Sequence, residues 1–319
     1  MTSCSVCGRE KAIIKIPYEG KNLCKNCFRK YFIEKVEETL KKATVFSNAS
    51  EKLFVVATSG GKDSLNTLYI MKMLSEKYGF NVEALLINEG ISGYREFTTK
   101  ALVKIANKLN VPYRVVDVKK HFNFTIDEAA KLFFEGKIGW KPCTLCGIIR
   151  RYLLNKVSRE MGASYLVTGH NLDDDLQTVV MNLVRGDFQA LIRGGIVVKA
   201  EHSKLIPRVR PLHYIYEKES LIHSIITGLE TPYVECPYAP YSLRWNIREL
   251  LNKLESKEPG FKYKLMVKID DLREKFSKYR IQRFTECRVC GEPSAKEICK
   301  ACEIRLRIVK VLGNVRRSL

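Results

Sequence analysis

Eleven cysteines stand in this 319-residue chain, and their spacing sorts them into three sets. Cys4, Cys7, Cys24 and Cys27 read C-x2-C-x16-C-x2-C, and Cys287, Cys290, Cys299 and Cys302 read C-x2-C-x8-C-x2-C. A C-x2-C turn brings two sulfurs onto one ion, and a second pair closes a tetrahedron, which is how a structural zinc site is built. A glycine follows the first pair in each set, in CSVCGRE and CRVCGEP, where the backbone must turn tightly beneath a metal. The double pairing predicts one Zn2+ near each end, each folding a small domain that cannot build a core by itself. Eight free thiols would leave that pairing without a reason.

Three cysteines remain: Cys143 and Cys146 in KPCTLCGIIRR, and Cys236 in VECPYAP. Three thiolates do not close a tetrahedron. The options are an iron–sulfur cluster with one iron lacking a protein ligand, a catalytic cysteine pair, or packing. The total is odd, and MTSCSVCGREK carries no apolar signal core, so the reading is a chain that is not exported and has no disulfide framework.

A second group of residues points to anion chemistry. Lys52–Thr58 (KLFVVAT) is a short β-branched run of the buried-strand type, and Ser59-Gly60-Gly61-Lys62-Asp63-Ser64 follows at once. Leu65–Lys77 then shows helical spacing through Leu65, Leu68, Met71 and Leu74. A glycine-rich loop between a strand and a helix start turns backbone N–H groups and the positive end of the helix dipole toward an anion. The G-x-x-x-x-G-K-[ST] spacing of a Walker loop is absent.

Positioning these residues requires a scaffold, and the alternation continues. Strands are predicted at Val82–Asn88, Tyr113–Val118 and Tyr165–Thr168, and helices at Tyr94–Leu109, Thr144–Met161 and Asp173–Val184. Repeated strand–helix units predict an α/β fold, a doubly wound parallel sheet of Rossmann-like type with helices on both faces. Ligands of such sheets lie beyond the carboxyl ends of the strands. SGGKDS falls there, and so do Asn88-Glu89-Gly90 and Gly169-His170-Asn171-Leu172-Asp173-Asp174-Asp175. The three carboxylates at that helix start are N-terminal caps, and one of them beside a phosphate loop also suits Mg2+. His170 by itself reads as structural.

Composition narrows the class. The chain is 45% hydrophobic, enough for a real core, and no apolar run approaches the ~20 residues of a membrane helix. Its 55 Lys and Arg against 35 Asp and Glu give +20, well above the about 2–8 charges that solubility asks for. A polyanionic partner, most often nucleic acid, is expected. Arg280–Leu319 holds ten Lys/Arg against four Asp/Glu around the second cysteine set, a candidate phosphate-contacting surface. Ser242–Glu255 reads as an amphipathic helix that covers a sheet edge, meets a second copy or contacts RNA. A small-metabolite synthetase would not need the zinc knuckles or the charge, and a non-catalytic zinc protein would not need SGGKDS.

SGGKDS is similar to the PP-loop of ATP pyrophosphatases. With CTLCG, GHNLDDD and ECPY in that order and a cysteine tetrad at each end, nearly the whole chain resembles the TtcA/TtuA family of tRNA 2-thiolation enzymes. The terminal tetrads point away from the branch that acts on cytidine 32, and the stretch MNLVRGDF resembles the archaeal NcsA-like wobble-uridine branch, which implies uridine 34 rather than uridine 54 of tRNA.

The resemblance implies that Cys143, Cys146 and Cys236 hold a [4Fe-4S] cluster whose fourth iron is open to sulfide. A persulfide on Cys143 or Cys236 is the other route. It implies ATP with Mg2+, adenylation of the uridine 2-oxo group, and displacement of AMP by sulfur. Ser59, Gly60, Gly61, Lys62 and Ser64 would meet the phosphates, while Asp63 and Asp174 would handle Mg2+ or protons. Ala57 and Ile87 would flank the adenine through their main chain. Gly169 would allow close approach of ribose or phosphates, and Arg150 would stabilise charge between the cluster and the α-phosphate. Implied partners are tRNA, a second copy of the chain, and a sulfur donor, either sulfide or a thiocarboxylated ubiquitin-like carrier. The implied location is the cytoplasm. The expected division is 1–32 for the N-terminal zinc finger, 33–270 for the catalytic domain and 271–319 for the basic C-terminal zinc finger. Protein purified without oxygen should carry two zinc and four iron per chain, read by elemental analysis. Iron near zero after anaerobic reconstitution would remove the cluster.

Overall fold

The computed structural model describes residues 2–232, 234–279 and 284–317, the last four by backbone alone. Of the basic C-terminal stretch, Arg280 and Arg283 and the side chains of Arg316 and Arg317 therefore lie outside the described residues. A hairpin, β1 (Ile14–Ile16) and β2 (Lys21–Leu23), leads into α1 (Lys25–Lys42). Next come β3 (Leu53–Ala57), α2 (Lys62–Tyr78), β4 (Asn81–Asn88), α3 (Arg95–Lys108) and β5 (Tyr113–Asp117). α4 (Val118–Phe122), α5 (Ile126–Phe134), α6 (Pro142–Glu160), β6 (Tyr165–Thr168), α7 (Leu172–Val184) and α8 (Phe188–Ile192) follow. The chain ends with β7 (Val197–Val198), β8 (Arg208–Val209), α9 (Glu217–Ile226), α10 (Arg244–Lys257), α11 (Phe261–Lys275), the pair β9 (Thr285–Glu286) and β10 (Pro293–Ser294), and α12 (Lys300–Arg317). No helix among the described residues is long and apolar enough to cross a membrane.

Six strands form one sheet in the order β5-β4-β3-β6-β8-β7 among the described residues. All neighbours are parallel except β7, which runs against β8 at the edge. That edge strand departs from the all-parallel expectation; a two-residue strand needs no crossover and reaches β8 directly. The chain winds outward from β3 in both directions, through β4 to β5 and through β6 to β8. A crevice therefore opens at the carboxyl ends of β3 and β6, where connections leave in opposite senses. The loop after β3 lies in that crevice. The predicted strands and helices fall within three residues of the observed bounds. α6 starts earlier than expected because Pro142 occupies its first turn, where a missing N–H costs nothing.

Side chains alternate between two cores. Phe54 and Val56 face one layer, with Leu65, Leu68 and Met71 of α2 and Phe28, Phe32 and Val36 of α1. Val55, Leu85 and Ile87 face the other, with Leu145, Ile149 and Leu153 of α6. Cys4 and Cys24 belong to the first core, and Cys287, Cys299 and Cys302 to the second. The two tetrads thus sit on opposite faces of the sheet. α1 runs without a break across residue 32, and its buried stripe joins the knuckle to the sheet. Replacing Cys24 by Ser should therefore lower the cooperative transition of the whole chain, not fray one end. A loss on the order of 3 kcal/mol would shift Tm by roughly 6–12 °C in calorimetry.

Candidate active site

The loop after β3 is closed by its own side chains. The Thr58 N–H donates to the Leu85 carbonyl at 2.8 Å, carrying the ladder one residue past β3. Gly60 then turns to φ 78°, and a Cβ there would lie 2.0 Å from the Thr98 carbonyl oxygen. Both facts demand glycine. The Ser64 hydroxyl accepts from the Ser59 N–H at 3.1 Å and donates to the Gly61 carbonyl at 2.9 Å. α2 starts at Lys62 with Gly61 as its cap and no side-chain cap hydrogen bond. The first-turn N–H groups therefore face outward without a partner, the arrangement that binds phosphate.

Two carboxylates face one another beside this loop. Asp63 Oδ1 is buried with no hydrogen-bond partner, while its Oδ2 meets Lys62 Nζ at 2.9 Å. Lys62 also reaches Glu217 at 3.0 Å. Across from Asp63, the DDD run divides its tasks. Asp173 is buried against Lys262 and accepts the Glu217 N–H. Asp175 is buried against Arg210 at 2.8 Å and His213 at 2.5 Å. Asp174 is the one turned to the crevice, a third exposed and held by Arg244 at 3.2 Å. Burial raises its carboxyl to about 7, with Asp63 and Asp175 adding to the rise and Arg244 opposing it. Two acidic oxygens, one orphaned and one easily neutralised, suit a divalent cation. Gly169 packs on the loop: a Cβ there would lie 2.9 Å from Ser64 Cα and 3.0 Å from Asp63 carbonyl atoms. Ile87 is in the core, so only its main chain is available to a nucleotide.

A buried carboxylate joins this loop to the cysteines. Glu89, wholly buried just past β4, receives Arg95 through both Nε and Nη2, the latter at 2.7 Å. Arg95 Nη1 donates to the Ser59 carbonyl at 2.8 Å. Arg150 Nε lies 3.2 Å from the same Glu89, and the Cys146 thiol lies 3.8 Å from it. Cys143, one helical turn earlier in α6, donates to the Tyr238 carbonyl at 3.0 Å, which holds the Cys236 segment against α6. Burial pushes the Cys146 thiol up to about 12, with Glu89 adding and Arg150 and Arg95 opposing. Burial likewise raises Cys143 and Cys236, each by more than its surroundings lower it.

The comparisons with known proteins can now be set beside this geometry. Residues 32–237 match the PP-loop domain family, and residues 3–29 match the N-terminal LIM domain of 2-thiouridine synthetase TtuA. A tRNA-5-methyluridine(54) 2-sulfurtransferase of Pyrococcus horikoshii is 33% identical over 94% of this chain and 92% of its own length. Cytoplasmic tRNA 2-thiolation protein 1 of Danio rerio is 33% identical over 94% of this chain and 86% of its own. The solved U34-tRNA thiolase NcsA from Methanococcus maripaludis, with its [4Fe-4S] cluster, superposes with a TM-score of 0.80 at 32% identity and 95% coverage of both chains.

The chain belongs to the PP-loop tRNA 2-thiolation family.

Within that family the donor sets separate by spacing. A tetrahedral Zn2+ at about 2.3 Å from each sulfur sets neighbouring sulfurs about 3.8 Å apart. Cys7 and Cys24 are 3.8 Å apart, and Cys290 and Cys299 are 3.7 Å apart. Among the described residues, the two tetrads are the groups whose ligand atoms all lie within 4.8 Å of one another. The Cys143, Cys146 and Cys236 sulfurs do not form such a group. Burial is the largest cause of the raised pKa at each of the three. The same values disfavour a free thiolate nucleophile.

Sequence reasoning missed Arg95, Glu217 and Arg244 and left Glu89 without a role. Their partners are 6 to 155 positions away, at Glu89, Lys62 and Asp174, and no local spacing announces them. If Asp174 titrates near 7, Mg2+ must displace its proton. Binding of Mg2+ by the nucleotide-free protein should then tighten roughly ten-fold from pH 6 to pH 8. Isothermal titration should show that dependence vanish in Asp174→Asn.

Proposed function

We propose that this chain is an ATP-dependent tRNA sulfurtransferase that replaces the 2-oxygen of a uridine by sulfur, at position 34. The observation that carries the reading is Glu89, which binds the PP-loop's clamp Arg95 and the cysteine site's Arg150 and Cys146 together. One base can then meet both chemistries without leaving the crevice.

Adenylation comes first. The uridine 2-oxygen attacks the α-phosphorus of ATP, pyrophosphate leaves, and the base loses its N3 proton. The open N–H groups at the start of α2, with Ser59, Gly60, Gly61 and Ser64, bind the phosphates. Lys62 follows the leaving pyrophosphate by exchanging its contacts with Asp63 and Glu217. Asp63 and Asp174 would hold Mg2+, which screens the phosphate charge. Arg150, already raised in charge affinity by Glu89 against the cost of its burial, stabilises the negative charge of the transition state. A sulfur nucleophile then attacks C2, and AMP departs with the original oxygen. A [4Fe-4S] cluster on Cys143, Cys146 and Cys236 would supply an open iron that holds that sulfur as sulfide.

Supporting the wobble position are the MNLVRGDF stretch and the likeness to a U34 thiolase. A relative of equal identity acts on 5-methyluridine 54, so the position is decided by mapping the lost thionucleoside in tRNA from a deletion strain. Sulfide or a thiocarboxylated carrier as donor, a homodimer and a cytoplasmic site of action complete the proposal. Cys236→Ala should keep MgATP binding and folding and lose thiolation by 100-fold or more, on the order of a catalytic ligand's removal. Thiolation near the wild-type rate with no iron bound would transfer the chemistry to a persulfide or to free sulfide.

A further inference from the structure

Four arginines of the crevice have carboxylate partners. Arg95 and Arg150 share Glu89, Arg210 holds Asp175, and Arg244 holds Asp174. Arg151 and Arg208 have no ion pair and no side-chain hydrogen bond among the described residues. Both face the same side of the sheet. Arg208 pairs with Leu166 in the parallel register, and Leu166 packs into the core built on α6. Its successor Val209 packs into the opposite core, as strand alternation requires. Arg151 lies on α6 and folds its guanidinium back over Gly147, where a Cβ would stand 3.4 Å from Nη1. Gly147 directly follows Cys146, so this charge lies over the cysteine turn.

The two are close enough to feel one another. Burial lowers Arg208 to about 10, and repulsion from Arg151 and Arg210 adds to that. Arg151 stands exposed, repelled by Arg150 and Arg185 and attracted by Cys146. Guanidinium groups without a carboxylate partner are free to meet an anion. Their planar forks match the oxygens of phosphate. The ATP phosphates have the PP-loop at the end of β3, and β8 lies two strands, roughly 10 Å, from it.

We infer that Arg151 and Arg208 clamp a backbone phosphodiester of the RNA strand beside the nucleotide whose base enters the crevice. This rests on the tRNA reading given above. The clamp explains how a base is presented to the cysteine end: the strand is gripped next to the target and the base is left free to turn inward.

The test is binding of an unmodified tRNA transcript to the full-length protein across a salt series, with MgATP affinity measured alongside. Arg151→Gln and Arg208→Gln should each weaken tRNA binding roughly ten-fold and flatten the log–log salt slope by about 0.7. MgATP affinity should stay within two-fold. The Arg151→Lys/Arg208→Lys protein should keep most of the slope, which guards against a folding defect at the half-buried Arg208. An unchanged slope in the Gln proteins overturns the clamp. A parallel loss of MgATP affinity overturns it too, and assigns the pair to the nucleotide. A wild-type protein that binds no tRNA at any salt fails the tRNA reading itself, before any variant is compared.

Discussion

One buried carboxylate organises the crevice. Glu89 has no contact with solvent, and an isolated charge there would cost several kcal/mol unless paired on more than one side. Arg95 supplies the close bidentate partner, and Arg150 the second cation. Because Arg95 spends its remaining N–H on the Ser59 carbonyl, satisfying Glu89 also sets where the PP-loop begins. Because Cys146 and Arg150 sit one turn apart on α6, it sets where the cysteine site begins as well. The two halves of the proposed reaction are held in register by the need to neutralise one anion.

Around that node the fold is braced by charge as much as by oil. Asp175, His213 and Asp270 form a buried chain, extended by Arg210 and Arg273, that ties the start of α7 to α11. Asp175 and Asp270 raise the affinity of His213 for its proton despite the opposing effect of burial. Asp173 and Lys262 make a second buried tie between the same two helices. Asp174 is thereby left as the carboxylate of the three that meets the crevice, against Arg244.

The two cysteine tetrads extend the same logic to the two faces of the sheet. The N-terminal tetrad shares its apolar core with α1 and α2. The C-terminal tetrad packs on α6, where Arg159 and Lys204 meet Glu292 and Gly291. α6 carries Cys143, Cys146, Arg150 and Arg151, so the second knuckle stiffens the helix that presents them. Arg305, Arg307 and Lys310 stand exposed on α12.

Much was legible from residue order alone. The tetrads are local patterns in which the metal's geometry dictates the spacing. SGGKDS between a β-branched run and a helical stripe is a local signal too, and the strand–helix alternation follows from periodicity. Other features were decided only by folding. Three consecutive aspartates look alike in sequence; the α-helical turn of 100° per residue sends them to Lys262, to the crevice and to His213. Gly169 gives no sign in sequence that the fold brings the Asp63–Ser64 backbone within 3.0 Å of where its Cβ would be. Glu89 and Arg95 are two ordinary charged residues until burial removes water and forces them to answer one another. Sequence carries what neighbours along the chain determine, and charge pairing across the crevice waits for the solvent to leave.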